Sequence, residues 1–120
     1  MGFPSPAQDH LERQISLDDL LGLREPSVFL FKMASDAMAE AGIFKGDICV
    51  VDRAINPAHG HIVQASVNGE PVCRRLWRTG GEVKLLAESP KGAARYILEG
   101  DELIVFGVVT YSVRCHEPKP

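Results

Sequence analysis

The stretch that decides the fold begins Phe31-Lys32-Met33-Ala34-Ser35-Asp36-Ala37-Met38. It continues through Ala41-Gly42-Ile43 and Lys45-Gly46-Asp47 to an apolar segment, 48–51, closed by Asp52. This pattern predicts a strand that enters a turn of small residues, then a short helical turn, and then a second strand that returns. The layout presents position 37 at the mouth of a turn between two rigid strands, where a hydrolase places its nucleophile. Position 37 is alanine, so the segment has the frame of an active site without the nucleophile.

Turn signals divide the rest of the chain into short strands, and Asn68-Gly69 between two alternating runs is the sharpest hairpin signal. Ser16 is the expected cap of a short helix that ends near Gly22. The predicted strands are 28–33, 48–51, 61–67, 72–77, 83–87, 96–98 and 103–113. The sequence therefore predicts a mostly β single domain over residues 15–120. Residues 1–14 are expected to form a flexible N-terminal arm, because they have prolines and no apolar periodicity.

Length and charge narrow the class of protein. A chain of 120 residues with 45% hydrophobic residues can build one core and is too short for two ordinary domains. The net charge of −3 argues against non-specific nucleic-acid binding by counterion release. No apolar run reaches the length of a membrane span, and no signal segment opens the chain. We therefore expect a cytoplasmic protein with no membrane association.

The cysteines and histidines do not predict a metal or disulfide site. Three cysteines are an odd number without CxxC spacing, and Cys49 and Cys73 fall in predicted strands as small buried hydrophobes. His59 and His61 have the spacing of two ligands on one strand face, but no further Cys, His, Asp or Glu set completes such a site. We expect neither a metal nor another cofactor.

The stretch around position 37 resembles the nucleophile motif Ser-Gly-Asp-Ser-Met of the LexA and UmuD family of self-cleaving Ser-Lys peptidases. This chain keeps Asp36 and Met38, and it has Ser35 in place of the glycine and Ala37 in place of the serine. Further matches follow in order along the chain: Gly42, Gly46-Asp47, Val50-Val51-Asp52, Ile55, His59-Gly60, Ile62-Val63, Gly69-Glu70, Arg74-Arg75-Leu76 and 105–109. The segment Gly2-Phe3-Pro4-Ser5-Pro6-Ala7 is similar to the one after the UmuD cleavage point, so the resemblance is closer to UmuD than to LexA.

The resemblance implies a LexA/signal-peptidase-like fold of several coiled antiparallel sheets, in which a neutral lysine activates the serine. In UmuD-type proteins that lysine lies on the strand that matches 72–77. Arg74 stands at its position here, and a shift of one residue would select Arg75 instead. A guanidinium stays protonated in proteins and cannot act as a general base. No catalytic residue of the family is therefore intact.

Three alternatives keep an active enzyme in consideration. The first is Ser35 as a replacement nucleophile, but it lies two residues from the expected position and would lose the required orientation. The second is Lys84 as a replacement base, but a base without a nucleophile has nothing to activate. Deliberate replacement of a serine would explain Ala37 but neither Arg74 nor Ser35, so natural loss explains the three changes better.

The resemblance also implies partners and a cellular role. Gly2 aligns with the residue that cleavage exposes in UmuD, so we expect a UmuD′-like protein in its processed form from the start. Such a protein is a homodimer that joins a UmuC-type Y-family DNA polymerase and the RecA filament in translesion synthesis of the SOS response, without direct sequence-specific nucleic-acid binding. The strand 103–113, taken as a long apolar edge, is the expected dimer contact. Two rival hypotheses are a self-cleaving peptidase in trimmed, inactivated form and the C-terminal domain of a LexA-like repressor.

Overall fold

The computed structural model describes residues 14–117, which contain one short α-helix, one 3-10 helix and seven strands. These are α1 (Leu17–Leu21), β1 (Val28–Lys32), the 3-10 helix (Ala39–Ala41), β2 (Ile48–Asp52), β3 (Ile62–Val67), β4 (Glu70–Thr79), β5 (Glu82–Leu86), β6 (Ala94–Tyr96) and β7 (Leu103–Val113). The mostly β prediction is confirmed. The predicted arm lies outside the described residues except for Gln14. Among the described helices, neither is long and apolar enough to cross a membrane.

The seven strands form one antiparallel sheet in the order β1-β2-β7-β3-β4-β5-β6. The resemblance placed them in several coiled sheets, and hydrogen bonds join them here into one continuous sheet. Asn68 and Gly69 make the β3–β4 turn with φ angles of 51° and 85°, the left-handed pair that a two-residue hairpin of type I′ requires. The Asn68 side chain also bonds Asp101 at 2.9 Å and the Glu102 N–H at 2.8 Å, which ties the turn to the start of β7.

Strand β7 lies inside the sheet, so the expectation that it forms an edge is wrong. Its N-terminal half pairs with β3 and its C-terminal half pairs with β2, because eleven residues are long enough to serve two shorter neighbours. Gly107 stands where the strands crowd: a Cβ there would lie 2.6 Å from Val51 Cγ1. The two edges of the sheet are β1 and β6.

The sheet covers two hydrophobic cores. The first core packs under the turn that contains position 37, and its buried members are Met33, Met38, Ile43, Cys49, Val51 and Cys73. The second core packs at the β3–β4–β5 region, and its buried members are Val63, Ala65, Val67, Leu76, Leu85 and Val108. Cys49 and Cys73 are buried free thiols, as the sequence predicts. The first core supplies the rigid base on which the candidate site stands.

Candidate functional site

The turn after β1 is held at both ends by the backbone. Met33 N–H donates to the Asp47 carbonyl at 2.8 Å, and Met38 pairs with Ile43 in an isolated antiparallel bridge. Both methionines are buried in the first core, so they anchor the two ends of the segment between them. Ala37 is half-buried in this segment, and its N–H donates to Ser35 Oγ at 3.3 Å. The frame that the sequence predicts around position 37 is therefore present.

A second backbone contact joins position 37 to Glu88. The Ala37 carbonyl accepts from Glu88 N–H at 2.8 Å, and the Glu88 carbonyl accepts from Glu40 N–H at the same distance. The Glu88 carboxylate forms a bidentate pair with Arg75, at 2.6 Å to Nε and 2.9 Å to Nη2. These hydrogen bonds hold the pKa of Glu88 below its ordinary value, although burial opposes them. Arg75 also donates to the Gly60 carbonyl at 2.9 Å, so it joins three segments around the turn.

A cleft of about 340 Å³ separates residues 31–35 from residues 70–74, with Gln64 also in its wall. Arg74 lines this cleft together with Ser35, is half-buried, and donates from Nη1 to the Cys73 carbonyl at 2.7 Å. Ala37 itself is outside the set of lining residues. Adjacent residues on a strand point to opposite faces, and Arg75 is already engaged by Glu88. Arg74 is therefore the arginine that shares the cleft with the turn.

In comparison with known proteins, the family model described as "Peptidase S24-like" matches residues 1–110 of this chain. The chain belongs to the Peptidase S24-like family. It is 36% identical over 113 residues to Protein ImpA of Salmonella typhimurium. The aligned region covers 93% of this chain and 76% of that protein. It is 38% identical over 109 residues to Protein SamA of the same species, strain LT2. The aligned region covers 91% of this chain and 75% of that protein. It is 34% identical over 113 residues to the LexA repressor of Bordetella pertussis. The aligned region covers 94% of this chain and 52% of the repressor. The resemblance to the LexA and UmuD family is confirmed.

Lys84 cannot supply the base of a Peptidase S24-like site from where it lies. It is absent from the wall of the cleft, and its Nζ stands 4.8 Å from the Trp77 ring centre and 5.0 Å from the Tyr96 ring centre. Partial burial tends to lower the pKa of Lys84, but the hydrogen bond and charge of Glu82 outweigh it, so the pKa is raised. A raised pKa keeps this amine protonated, which is the opposite of what a lysine base requires.

His59 and His61 are occupied by backbone contacts. His59 Nδ1 accepts from Arg78 N–H at 3.1 Å, and its ring meets Trp77 edge-on at 4.7 Å. His61 Nδ1 accepts from Ala58 N–H at 3.0 Å. Within residues 14–117, no group of three or more His, Cys, Asp or Glu side chains is arranged to hold a metal ion.

Two ion pairs around the Peptidase S24-like frame were not anticipated from the sequence: Arg75–Glu88 and Asp47–Arg114. Asp47 is 2% exposed and accepts from Phe44 N–H at 2.8 Å and from Arg114 Nε and Nη2, both at 2.9 Å. Arg114 also donates to the Gly42 carbonyl at 2.8 Å and lies 4.2 Å from the Phe44 ring centre. The only local signal was an acidic residue directly before an apolar strand. Its partner lies 67 residues away, where no local pattern points to it.

Proposed function

We propose that this chain is a UmuD′-like accessory subunit of SOS mutagenesis that binds its partners without cleaving peptide bonds. The observation that carries the proposal is that Ala37 and Arg74 stand at the two catalytic positions of a retained peptidase frame. The protein works as a homodimer that joins a UmuC-type Y-family DNA polymerase and the RecA filament during translesion synthesis. Its action is binding, and it uses no cofactor.

The lost chemistry supports a binding role. Ala37 has no hydroxyl, and the half-buried Arg74 stays protonated at every physiological pH. Ser35 lines the cleft, but its oxygen accepts from the Ala37 N–H. The basic groups in the same wall are Arg74, which cannot take a proton, and Lys32, which is exposed and lacks the desolvation that a lysine base requires. A serine without a base is a weak nucleophile. The frame is retained although neither half of the dyad remains, which fits a fold kept for its surfaces.

A complementation experiment tests the role. We expect this chain, expressed with the UmuC-type polymerase of its own genome, to restore damage-induced mutagenesis to cells that lack UmuD. Restoration should need no processing of the chain, so its mass should be the same before and after RecA activation. Failure to restore mutagenesis while the polymerase is stably expressed would contradict the role, and a RecA-dependent loss of mass would contradict the absence of cleavage.

The proposed homodimer uses the exposed apolar side chains of β7. Ile104, Phe106, Tyr111 and Val113 each expose 43% to 45% of their surface. Because β7 lies within the sheet, two copies would pair through side chains of β7 and would not extend the sheet edge to edge.

We expect Phe106→Lys to weaken the dimer by at least roughly 100-fold, because a charge at the centre of an apolar contact is desolvated without a partner. Sedimentation velocity at tens of micromolar, an order-of-magnitude range for cellular complexes, should show dimer for the unmodified chain and monomer for the variant. Leu98→Lys is the matched control, since Leu98 is 64% exposed and lies beyond β6. A monomeric unmodified chain, or dissociation by the control alone, would count against this surface.

The C-terminal domain of a LexA-like repressor is a second candidate. The similarity to the Bordetella pertussis LexA repressor over 52% of that protein favours it. The coding sequence upstream of Met1 distinguishes the two: an in-frame DNA-binding domain would support the repressor, and a neighbouring polymerase gene would support the accessory subunit.

A further inference from the structure

Part of strand β4 has a free edge that faces the cleft. Strand β5 pairs only with 75–79 of β4, so within the described part of the chain residues 70–74 have β3 on one side and no strand on the other. Leu76 N–H donates to the His61 carbonyl on the β3 side at 2.7 Å. Because hydrogen-bonding direction alternates along an antiparallel strand, Cys73 directs its N–H and carbonyl to the free edge.

The free edge and the turn after β1 form the two walls of the cleft. Residues 31–35 stand opposite residues 70–74, and Phe31, Met33 and Val72 give the walls an apolar surface. A sheet edge beside an apolar groove is a site where an extended peptide can add as a strand. The Gln64 Oε1 atom in this wall is buried and has no hydrogen-bond partner among the described residues.

The charged side chains of the cleft wall indicate which charge on a ligand is favoured. Arg74 carries five N–H donors, and its one protein partner among the described residues is the Cys73 carbonyl. No carboxylate lies within 4.0 Å of Arg74 or of the exposed Lys32 in residues 14–117, although Glu70 lines the same cleft. The walls therefore hold two cations and one anion, and a half-buried cation gains most from a charged acceptor. The Ser35 hydroxyl accepts from the Ala37 N–H, and its own hydrogen is available to donate.

We propose that this cleft binds an extended peptide of another protein through a carboxylate side chain held by Arg74. The backbone of the peptide adds to the free edge at Cys73. The alanine at position 37 leaves no nucleophile to attack the peptide. This inference rests on the proposed loss of cleavage. It gives the exchange of lysine for arginine a function: the base is lost, and a binding site for an anion is gained.

Two peptides that differ in one charge test the inference: acetyl-Ala-Val-Glu-Val-Ala-amide and the same peptide with Gln in place of Glu. We expect the Glu peptide to bind about tenfold more tightly, measured by NMR titration of the unmodified chain, because a charge-assisted bond to a guanidinium is stronger than a neutral one. Arg74→Gln should remove the preference, and Arg74→Lys should weaken it, because partial burial can neutralise a lysine amine and only the guanidinium binds a carboxylate through two parallel bonds. Arg24→Gln is the matched control, since Arg24 is an exposed arginine near α1, outside the cleft wall.

Each other outcome overturns the inference. Equal binding of the two peptides, binding of neither at millimolar concentration, or a preference that survives in Arg74→Gln would exclude a carboxylate site at Arg74. Arg74-dependent binding of an oligothymidylate with no binding of the peptides would assign the cleft to nucleic acid. Affinity that falls as the protein concentration rises would assign it to a second copy of this chain. Mass spectrometry of the recovered peptides separates the two proposals: cut peptide contradicts the loss of cleavage, whereas intact but unbound peptide contradicts only the anion site.

Discussion

Ala37→Ser combined with Arg74→Lys should restore peptide cleavage that neither change restores alone. Ala37→Ser supplies a hydroxyl, but Arg74 remains charged and cannot take its proton. Arg74→Lys supplies an amine that partial burial can neutralise, but there is no nucleophile for it to activate. Residues that act as one unit are strongly non-additive, so we expect the double variant to exceed each single variant by roughly 10³-fold.

A third change is expected to increase the restored activity. Ser35 stands where the family has glycine, and its oxygen accepts from the N–H of residue 37 at 3.3 Å. Ser35→Gly frees this N–H and lets a substrate backbone approach more closely. Backbone N–H groups near the nucleophile are typical donors to the developing oxyanion. The triple variant should therefore cleave faster than the double variant.

The assay is cleavage of an uncut UmuD-type arm supplied in trans as a synthetic peptide. Ala37→Ser with Arg75→Lys is the matched control, because Arg75 is held by Glu88 outside the cleft and its replacement should give no activity. If this control is active and the Arg74→Lys variant is not, then Arg75 and not Arg74 stands at the lysine position of the family. Cleavage by the unmodified chain would refute the proposed loss of activity. An inactive triple variant would mean that the frame has changed beyond the three residues.

Arg114→Gln should lower the free energy of unfolding by about 1–3 kcal/mol near neutral pH, because it leaves a buried carboxylate with one backbone donor in place of three donors. Arg114 is itself 39% exposed, which keeps the expected loss below that of a fully buried pair. Urea denaturation followed by circular dichroism measures the difference.

The same pair should make stability sensitive to acid. The hydrogen bonds from Arg114 lower the pKa of Asp47 in the folded state, and they outweigh the opposing effect of burial. A lowered folded-state pKa means that the stabilisation is fully present above the unfolded pKa, about 4 for Asp, and is lost as the pH falls through the folded value. The difference between the unmodified chain and Arg114→Gln should therefore shrink below about pH 4.

Arg24→Gln is the control for this experiment as well. The Arg24–Asp18 pair is separated by 3.5 Å and its side chains are 77% and 54% exposed, so its loss should change stability by less than about 0.5 kcal/mol at any pH. A difference between Arg114→Gln and the unmodified chain that is the same at pH 7 and pH 3.5 would show that Asp47 is not the group that titrates.

The sequence by itself determined the local features of this protein. The strand 103–113 has the predicted bounds, and the Asn68-Gly69 turn lies between the two predicted strands. The chemistry at position 37 and at position 74 also follows from residue type alone, since an alanine has no hydroxyl and a guanidinium does not lose its proton. Alternation, turn preference and side-chain chemistry depend on neighbours in the chain, so they can be predicted without the fold.

Only the tertiary structure decided which residues meet. The place of β7 within the sheet, the bond between Arg75 and Glu88 across 13 residues, and the bond between Asp47 and Arg114 across 67 residues depend on strand order. The free edge of β4 likewise depends on the different lengths of β4 and β5 in one sheet. Such contacts arise when distant segments become neighbours to bury a common core, and no periodicity within one segment specifies its partner.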